Sequence, residues 1–233
     1  IKREFDIFFG VGGMLEFGSR GLQYFGLAPG SEMVKVLAKD PDMPTVRHLL
    51  RRSSMAAYGL VSSYSLQKAQ QNLTLVTSEW AGHIAKDAFA VGGHEVVYPP
   101  VLMPPSETPW DQREDRFLCV ARIVPEKRLE QAIEIIKLVR EQGLDVSLTI
   151  VGRQDNPSYL KHIKDLAVEN SPWVEIVDLL TKEELSQLMA SSKYGINAAD
   201  DEPFGIAVAE LVKSGSIVFV ANGGGQTEIV DSP

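Results

Sequence analysis

Long apolar runs are missing from this sequence. Its 233 residues are 44% hydrophobic, which is ordinary for a globular chain that can bury a core. None of its apolar stretches reaches the length of about 18 residues at which a membrane-spanning helix becomes the expected structure. We therefore expect no transmembrane helix.

Cysteine and positive charge are also scarce. Cys119 is the only cysteine, and it lies in the apolar run FLCVA, where a buried thiol is expected. A single cysteine allows no internal disulfide, which fits a reducing compartment, and we expect a cytoplasmic protein. The net charge of -8 argues against general nucleic-acid binding, which requires a basic face, and against a polybasic membrane anchor.

Proline is concentrated in one segment. Five prolines stand between Tyr98 and Asp111, in YPPVLMPPSETPWD, and they prevent a regular helix or a central strand there. We interpret residues 101–114 as a linker between a domain formed by 1–100 and a domain formed by 115–233. The chain opens without a methionine and stops soon after a helical pattern begins, so we expect a fragment truncated at both ends.

After the linker, strand and helix patterns alternate with short loops. This alternation predicts an α/β domain with a doubly wound parallel sheet. The predicted strands cover 117–123, 146–152, 173–177, 194–198 and 216–221, and the predicted helices cover 126–142, 158–170, 181–193 and 203–215. Thr181 and Glu184 have the spacing of a capping box.

The pattern before the linker is weaker. Residues 5–10, 72–78 and 94–100 are predicted to be strands, and residues 47–71 a helix. These strands are too few for a complete doubly wound domain, so we expect the N-terminal half to be incomplete.

Ligands of open parallel sheets bind beyond the carboxyl ends of the strands, and the loop ARIVPEK lies at such an end. Arg122 follows a predicted strand, and Lys127 stands near the start of the next helix. Two cations in one crevice suit a diphosphate, because arginine binds it with a planar fork and lysine with a point charge. The alternative is a pair of ordinary surface cations beside a loop.

The segment DDEPFGIAVAE follows another predicted strand. Pro203 suits the first turn of a helix, so the backbone N–H groups near Phe204, Gly205 and Ile206 would form an anion site at the helix start. Glu202 would then lie beside that anion.

Glu210 follows Glu202 at a spacing of eight residues. It stands in an apolar helix, so it needs a partner, and a pair of ribose hydroxyls would supply one. The alternative is an exposed charge on the helix surface. Asp200, Asp201 and Glu202 form an acidic run, but no His or Asp cluster accompanies it, and we expect neither a metal nor a cofactor.

The third loop is ANGGGQTEIV. Its glycines let the backbone approach a ligand closely, and Glu228 follows in the first helical turn. Together the three loops offer phosphate charge, an anion-binding helix start and hydroxyl acceptors, which is the chemistry that a nucleoside diphosphate-sugar requires.

In ARIVPEK, EPFGIAVAE and GGGQTE the sequence resembles the retaining glycosyltransferases of family 4, which have the GT-B fold. The likeness covers 98–233, with a weaker part at 72–100. It implies two Rossmann-like halves, the N-terminal half incomplete and the C-terminal half lacking its last elements.

The resemblance also implies roles by position. Arg122 and Lys127 would bind the donor diphosphate and stabilise it as the leaving group, Glu202 would contact the donor sugar, and Glu210 would hold the ribose. The remaining donor-binding positions are Phe204, Gly205, Ile206, Gly223, Gly224 and Glu228.

Such an enzyme would move a mannosyl or glucosyl group to a glycan or lipid-linked acceptor hydroxyl without a metal. An N-terminal part of the full protein could touch the cytoplasmic face of a membrane. Because catalysis in this fold occurs between two closing domains, we expect the 233-residue chain alone to be inactive.

One departure from the family pattern concerns catalysis. The family often carries a histidine in a stretch like YVHFP, where this chain has QYFGLAP, with Gly26 in the corresponding place. This motivates a second hypothesis, a nucleotide-sugar-binding subunit without turnover. His83 could lie near the cleft, although a helix-surface position is the alternative. A third hypothesis, a nicotinamide-dependent enzyme, would require G-x-G-x-x-G after a first strand, and neither half has it.

Overall fold

The computed structural model of the protein describes residues 6–12, 14–26 and 65–230. The chain forms two compact units, Ile1–Pro99 and Pro100–Pro233. The division falls inside the proline-rich segment, and residues 97–109 form neither helix nor strand, as its prolines predict. No helix in the described ranges combines the length and the apolar character needed to cross a bilayer.

The first unit contains a parallel sheet whose strands lie in chain order. They are β1 (Phe9–Val11), β2 (Leu22–Phe25), β3 (Leu73–Val76) and β4 (Glu95–Val96), with helices α1 (Leu66–Ala69) and α2 (Glu79–Phe89). The Ser78 hydroxyl caps α2 by accepting a hydrogen bond from the Ala81 N–H at 3.0 Å.

Strand β2 is absent from the sequence prediction, and β4 is shorter than predicted. Gln23 is fully buried in β2, where it donates to the Thr74 hydroxyl at 3.0 Å, so the strand lacks the apolar alternation by which strands are detected. β4 ends at Val96, and Pro99 and Pro100, which cannot donate to a ladder, exclude an extension to residue 100 as predicted. Of the helix predicted for 47–71, residues 47–64 lie outside the described residues.

The second unit contains five parallel strands in the order β7-β6-β5-β8-β9. The strands are β5 (Glu114–Val120), β6 (Ser147–Val151), β7 (Val174–Val177), β8 (Ser192–Asn197) and β9 (Ile217–Val220). The helices are α3 (Leu129–Glu141), α4 (Pro157–Glu169), α5 (Lys182–Ser191), α6 (Ile206–Lys213) and α7 (Thr227–Val230). The capping box of Thr181 and Glu184 is present at the start of α5.

Helices cover both faces of this sheet, because alternate residues of β5 pack in opposite directions. Phe117 and Cys119 join one buried cluster with α3 and α4, whereas Leu118 joins another with Met189 and Leu211. Burial raises the pKa of the Cys119 thiol to about 12, and the prediction of a core thiol is confirmed. The predicted doubly wound sheet is therefore confirmed.

Two predicted helix starts are wrong by three residues, and both lie at the edge where ligands bind in such sheets. The helix predicted from residue 126 is interrupted, because Pro125–Lys127 forms a 3-10 turn and Arg128 has a φ of 50° before α3 begins. The helix predicted from residue 203 begins at Ile206, because Gly205 has a φ of 94°. Pro203 is therefore outside the first helical turn.

Candidate functional site

The strand order fixes where a ligand crevice forms. From β5 the chain moves outward through β6 and β7, and it then returns to place β8 beside β5 on the opposite side. Ligands of doubly wound sheets bind at such a switch point, beyond the carboxyl ends of the two diverging strands. The loops that follow β5 and β8 are the ones that carry Lys127 and Glu202.

Lys127 and Glu202 meet at this point. The Lys127 ammonium donates a hydrogen bond to the Glu202 carboxylate, although the two residues are far apart in sequence. Their side chains are only 18% and 16% exposed, so water screens the attraction between them weakly. The structure thus brings together two of the residues that the sequence singles out.

Arg122 lies on the same loop but has a different partner. Its Nη1 is 3.8 Å from Oδ2 of Asp155, which belongs to the loop after β6, and its side chain is 58% exposed. Arg153 donates to both Asp155 oxygens at 2.6 and 3.0 Å, and this hydrogen bonding lowers the pKa of Asp155. Arg122 is therefore loosely held and can turn toward an anion.

Arg128 is a third cation that sequence reasoning missed. It precedes α3 in the left-handed backbone region, and its guanidinium pairs with Asp200 on the loop after β8. A second ion pair therefore links the same two loops as Lys127 and Glu202. The adjacent Lys-Arg and Asp-Asp-Glu runs were visible in the sequence, but which charges pair depends on the fold.

The start of α6 presents backbone donors at this edge. The N–H of Ala209 is bonded to the Gly205 carbonyl at 3.0 Å, so the N–H groups of Ile206, Ala207 and Val208 have no acceptor in the preceding helical turn. A Cβ atom on Gly205 would lie 3.4 Å from Cγ of Glu202, which places Glu202 beside the helix start. The Phe204 side chain is buried just before it.

The glycine loop after β9 packs directly on the loop that carries Glu202. The Gly225 N–H donates to the Glu202 carbonyl at 2.8 Å. A Cβ atom on Gly224 would lie 2.5 Å from that carbonyl oxygen, and one on Gly223 would lie 2.8 Å from the Asp200 carbonyl oxygen. Only glycine allows this approach. Glu228 stands in the first turn of α7.

Glu210 lies in the second turn of α6 and is half-buried. Burial raises the pKa of its carboxyl, and the charge of Lys182, in the first turn of α5, partly opposes this effect. Glu210 therefore lies about one turn further along α6 than the helix start, and Glu202 lies beside that start. Its neighbouring cation comes from α5 instead of from the loop that follows β5.

The histidine candidates belong to the first unit. Gly26 is exposed immediately after β2. His83 lies on the exposed face of α2, which is the helix-surface position given above as the alternative for this residue. The ring centroids of His94 and His83 are 6.3 Å apart, and Nε2 of His94 lies 3.1 Å from Oε2 of Glu79. Across the described ranges, no group of three or more His, Cys, Asp or Glu residues could hold a metal ion.

A separate apolar groove of about 750 Å³ lies in the second unit against α3, β5, β8 and β9. Its walls include Phe117, Ile136, Tyr194 and Phe219. None of the expected donor-binding residues lines it, and its apolar walls do not suit a diphosphate.

Sequence comparison finds a family that covers most of the second unit. Residues 105–232 match the family described as Glycosyl transferases group 1. The chain is 28% identical over 199 residues to the GDP-Man:Man(3)GlcNAc(2)-PP-Dol alpha-1,2-mannosyltransferase of Dictyostelium discoideum, covering 76% of this chain and 39% of the relative. The protein of the same name from Eremothecium gossypii is 24% identical over 204 residues, with 81% and 34% covered. The chain thus spans well under half the length of these relatives.

Solved structures share the fold. WaaG, a glycosyltransferase involved in lipopolysaccharide biosynthesis, aligns with a TM-score of 0.61 at 15% identity, covering 99% of this chain and 63% of WaaG. HepE of Anabaena, in complex with UDP and glucose, aligns with a TM-score of 0.58 at 16% identity, covering 89% and 55%. These likenesses confirm the predicted α/β fold with two parallel sheets.

Proposed function

Because the chain belongs to the Glycosyl transferases group 1 family, we propose that the protein moves a hexosyl group from a nucleoside diphosphate-sugar to an acceptor hydroxyl, with retention of configuration. The observation that carries this proposal is the contact of Lys127 with Glu202 beside the start of α6, at the switch point of the sheet. A cation, an acid and free helical N–H groups are thereby gathered within one crevice.

These groups suit the two ends of the scissile bond. On donor binding, the Lys127 ammonium would move from Glu202 to the diphosphate, and Arg122 and the α6 N–H groups would add further positive charge. This charge would stabilise the departing diphosphate in the transition state, where electrostatic stabilisation is worth most. Glu202, released from Lys127, would be available to the donor sugar.

The remaining expected contacts surround the nucleoside. Glu210 would accept hydrogen bonds from the ribose, while Gly223 and Gly224 would let the pocket wall approach the nucleotide. Phe204, Gly205 and Ile206 would frame the phosphate-binding helix start, and Glu228 would support the glycine loop. The cations and the helix start can perform the charge neutralisation that a metal performs elsewhere, so we propose a metal-independent reaction.

We also propose the chemical class of the donor and of the acceptor. The names of the curated relatives favour a mannosyl donor. HepE was solved with UDP and glucose, so a glucosyl donor is the alternative. We propose a glycan or lipid-linked acceptor, used at the cytoplasmic face of a membrane.

Titration of the full-length protein with GDP, UDP and their sugars tests the function. We expect micromolar binding of one diphosphate and transfer of its sugar to an acceptor. Binding without product would instead indicate a donor-binding subunit. Failure to bind any of the four compounds would remove the basis of the proposal.

Arg122→Ala should weaken binding of the nucleoside diphosphate about tenfold, because one charge-assisted hydrogen bond to phosphate is lost. The melting temperature should barely change, since Arg122 is exposed and its ion pair is loose. Isothermal titration provides the affinity. Arg140→Ala, in the last turn of α3, is the control for loss of an arginine away from the crevice; it should bind normally, although it also loses the Arg140 hydrogen bonds to Asp145 and the Val146 carbonyl. Equal affinity of wild type and Arg122→Ala would exclude Arg122 from the site.

Glu210→Gln should weaken binding of the nucleotide sugar about five- to tenfold, because the amide still accepts a hydrogen bond but without charge. The free protein should become more stable at pH 7. Burial raises the folded-state pKa above the ordinary 4.5, so the stabilising effect of protonation is complete below 4.5 and is lost as the pH rises through the folded-state value. Thermal melts of both proteins from pH 4 to pH 8 measure the difference. Parallel curves would contradict this account.

A further inference from the structure

Gln226 is fully buried between the glycine loop and α7, although no expected binding position includes it. Its side-chain Nε2 donates to the Ala199 carbonyl at 2.6 Å and to the Gly223 carbonyl at 3.1 Å. The Ala221 carbonyl lies 3.4 Å from the same nitrogen. Three backbone carbonyls therefore lie around one amide nitrogen.

These carbonyls belong to two different loops. Ala199 lies on the loop after β8, three residues before Glu202, whereas Ala221 and Gly223 lie on the loop after β9. A Cβ atom on Gly205 would also lie 3.3 Å from Cβ of Gln226, so this side chain supports the residue that precedes α6. Gln226 thus contacts both the loop that carries Glu202 and the glycine loop that packs on it.

The orientation of the Gln226 amide follows from its surroundings. If it were reversed, the side-chain oxygen would face three carbonyl oxygens, which cannot donate hydrogen bonds. Oε1 must therefore point away from them, and there it is buried with no donor among the described residues. An unsatisfied buried acceptor costs about as much stability as a hydrogen bond contributes. The unpaired Oε1 thus offsets part of what the two Nε2 hydrogen bonds contribute to stability, whereas their effect on the spacing of the two loops is unaffected.

We propose that Gln226 is a positioning residue for donor binding, which fixes the spacing between the Glu202 loop and the Gly223–Gly224 loop. This inference rests on the proposed function, because those two loops form the donor pocket only if the protein uses a nucleotide sugar. The adjacent Gly225 N–H, bonded to the Glu202 carbonyl at 2.8 Å, transmits any shift of Gln226 to Glu202.

The test is Gln226→Met in the full-length protein. Methionine has a similar length and fills a similar volume, but it removes the amide's hydrogen bonds to the Ala199 and Gly223 carbonyls together with the unsatisfied oxygen. We expect the KM for the nucleotide sugar to rise about tenfold, with the acceptor KM unchanged. The melting temperature should fall, because the buried Ala199 carbonyl loses its donor. A purely structural defect would lower the active fraction, and hence the apparent kcat, without changing the donor KM.

Gln23→Met is the matched control, because Gln23 is the other fully buried glutamine and its amide also donates a buried hydrogen bond. Its donor KM should equal that of wild type. If Gln226→Met does not fold, Gln226→Asn gives the second test, since its amide is retained but drawn back from the carbonyls, and its donor KM should also rise. An unchanged donor KM in the folded variant would overturn this inference and leave the proposed function intact. Absence of donor binding by wild type would overturn both.

Discussion

Lys127→Met is expected to weaken binding of the nucleoside diphosphate about 100-fold. The substitution removes a charge-assisted hydrogen bond, worth about 1.5–3 kcal/mol. It also leaves the Glu202 carboxylate, only 16% exposed, without its cation beside the incoming phosphates. The two effects have the same sign, which is why we expect a larger loss than for Arg122→Ala. Isothermal titration of the full-length protein measures it.

Lys137→Met is the matched control for this variant. Lys137 lies on α3, and within the described part of the chain its ion pair is an exposed contact with Glu134 at 3.9 Å on the same helix. Because the two variants lose the same charge, an equal loss of affinity would point to the net charge instead of to a specific contact. Unaltered binding by Lys127→Met would show that the ammonium does not meet the phosphates.

Glu202→Gln is expected to lower the rate of sugar transfer at least about 100-fold, the scale seen when one group that stabilises a transition state is removed. Binding of the free nucleoside diphosphate should stay the same or tighten, because Lys127 is released from its carboxylate. The melting temperature should fall by only about 2–4 °C, since the amide can still accept a hydrogen bond from Lys127. Transfer assays and titrations of the same preparation separate these effects.

Asp201→Asn removes one negative charge from the same loop and is the control for Glu202→Gln. Asp201 is exposed and adjacent to Glu202, so its loss should leave transfer almost unchanged. Transfer at the wild-type rate by Glu202→Gln would contradict the assignment of this acid to the sugar.

The fold of the second unit was predictable because its signals are local. Strands such as Ser147–Val151 are short apolar runs, and the Thr181 and Glu184 pair marks the start of a helix by spacing alone. Strand β2 escaped prediction because Gln23 is buried through a hydrogen bond to Thr74, a residue far along the chain. A single sequence contains no local sign of such a partner.

The candidate site was likewise predictable only in part. Lys127 and Glu202 could be assigned to one crevice, since loops that follow neighbouring parallel strands meet at one edge. The pairing of Arg128 with Asp200 could not be predicted, because it depends on a positive φ at a residue that is not glycine. Likewise the start of α6 is set by the backbone of Gly205, although Pro203 has the stronger sequence preference for a first turn.

The two ion pairs that join the loops after β5 and β8 bear on ligand choice. Lys127 and Arg128 are already paired with Glu202 and Asp200, so an arriving anion must displace carboxylates, and at the mostly buried Lys127–Glu202 pair water gives little help. A small anion such as chloride or orthophosphate has too few contacts to win that exchange. Under the proposed function, a diphosphate joined to a nucleoside would gain additional contacts along its length. The site would then discriminate against chloride and free phosphate while still binding its donor.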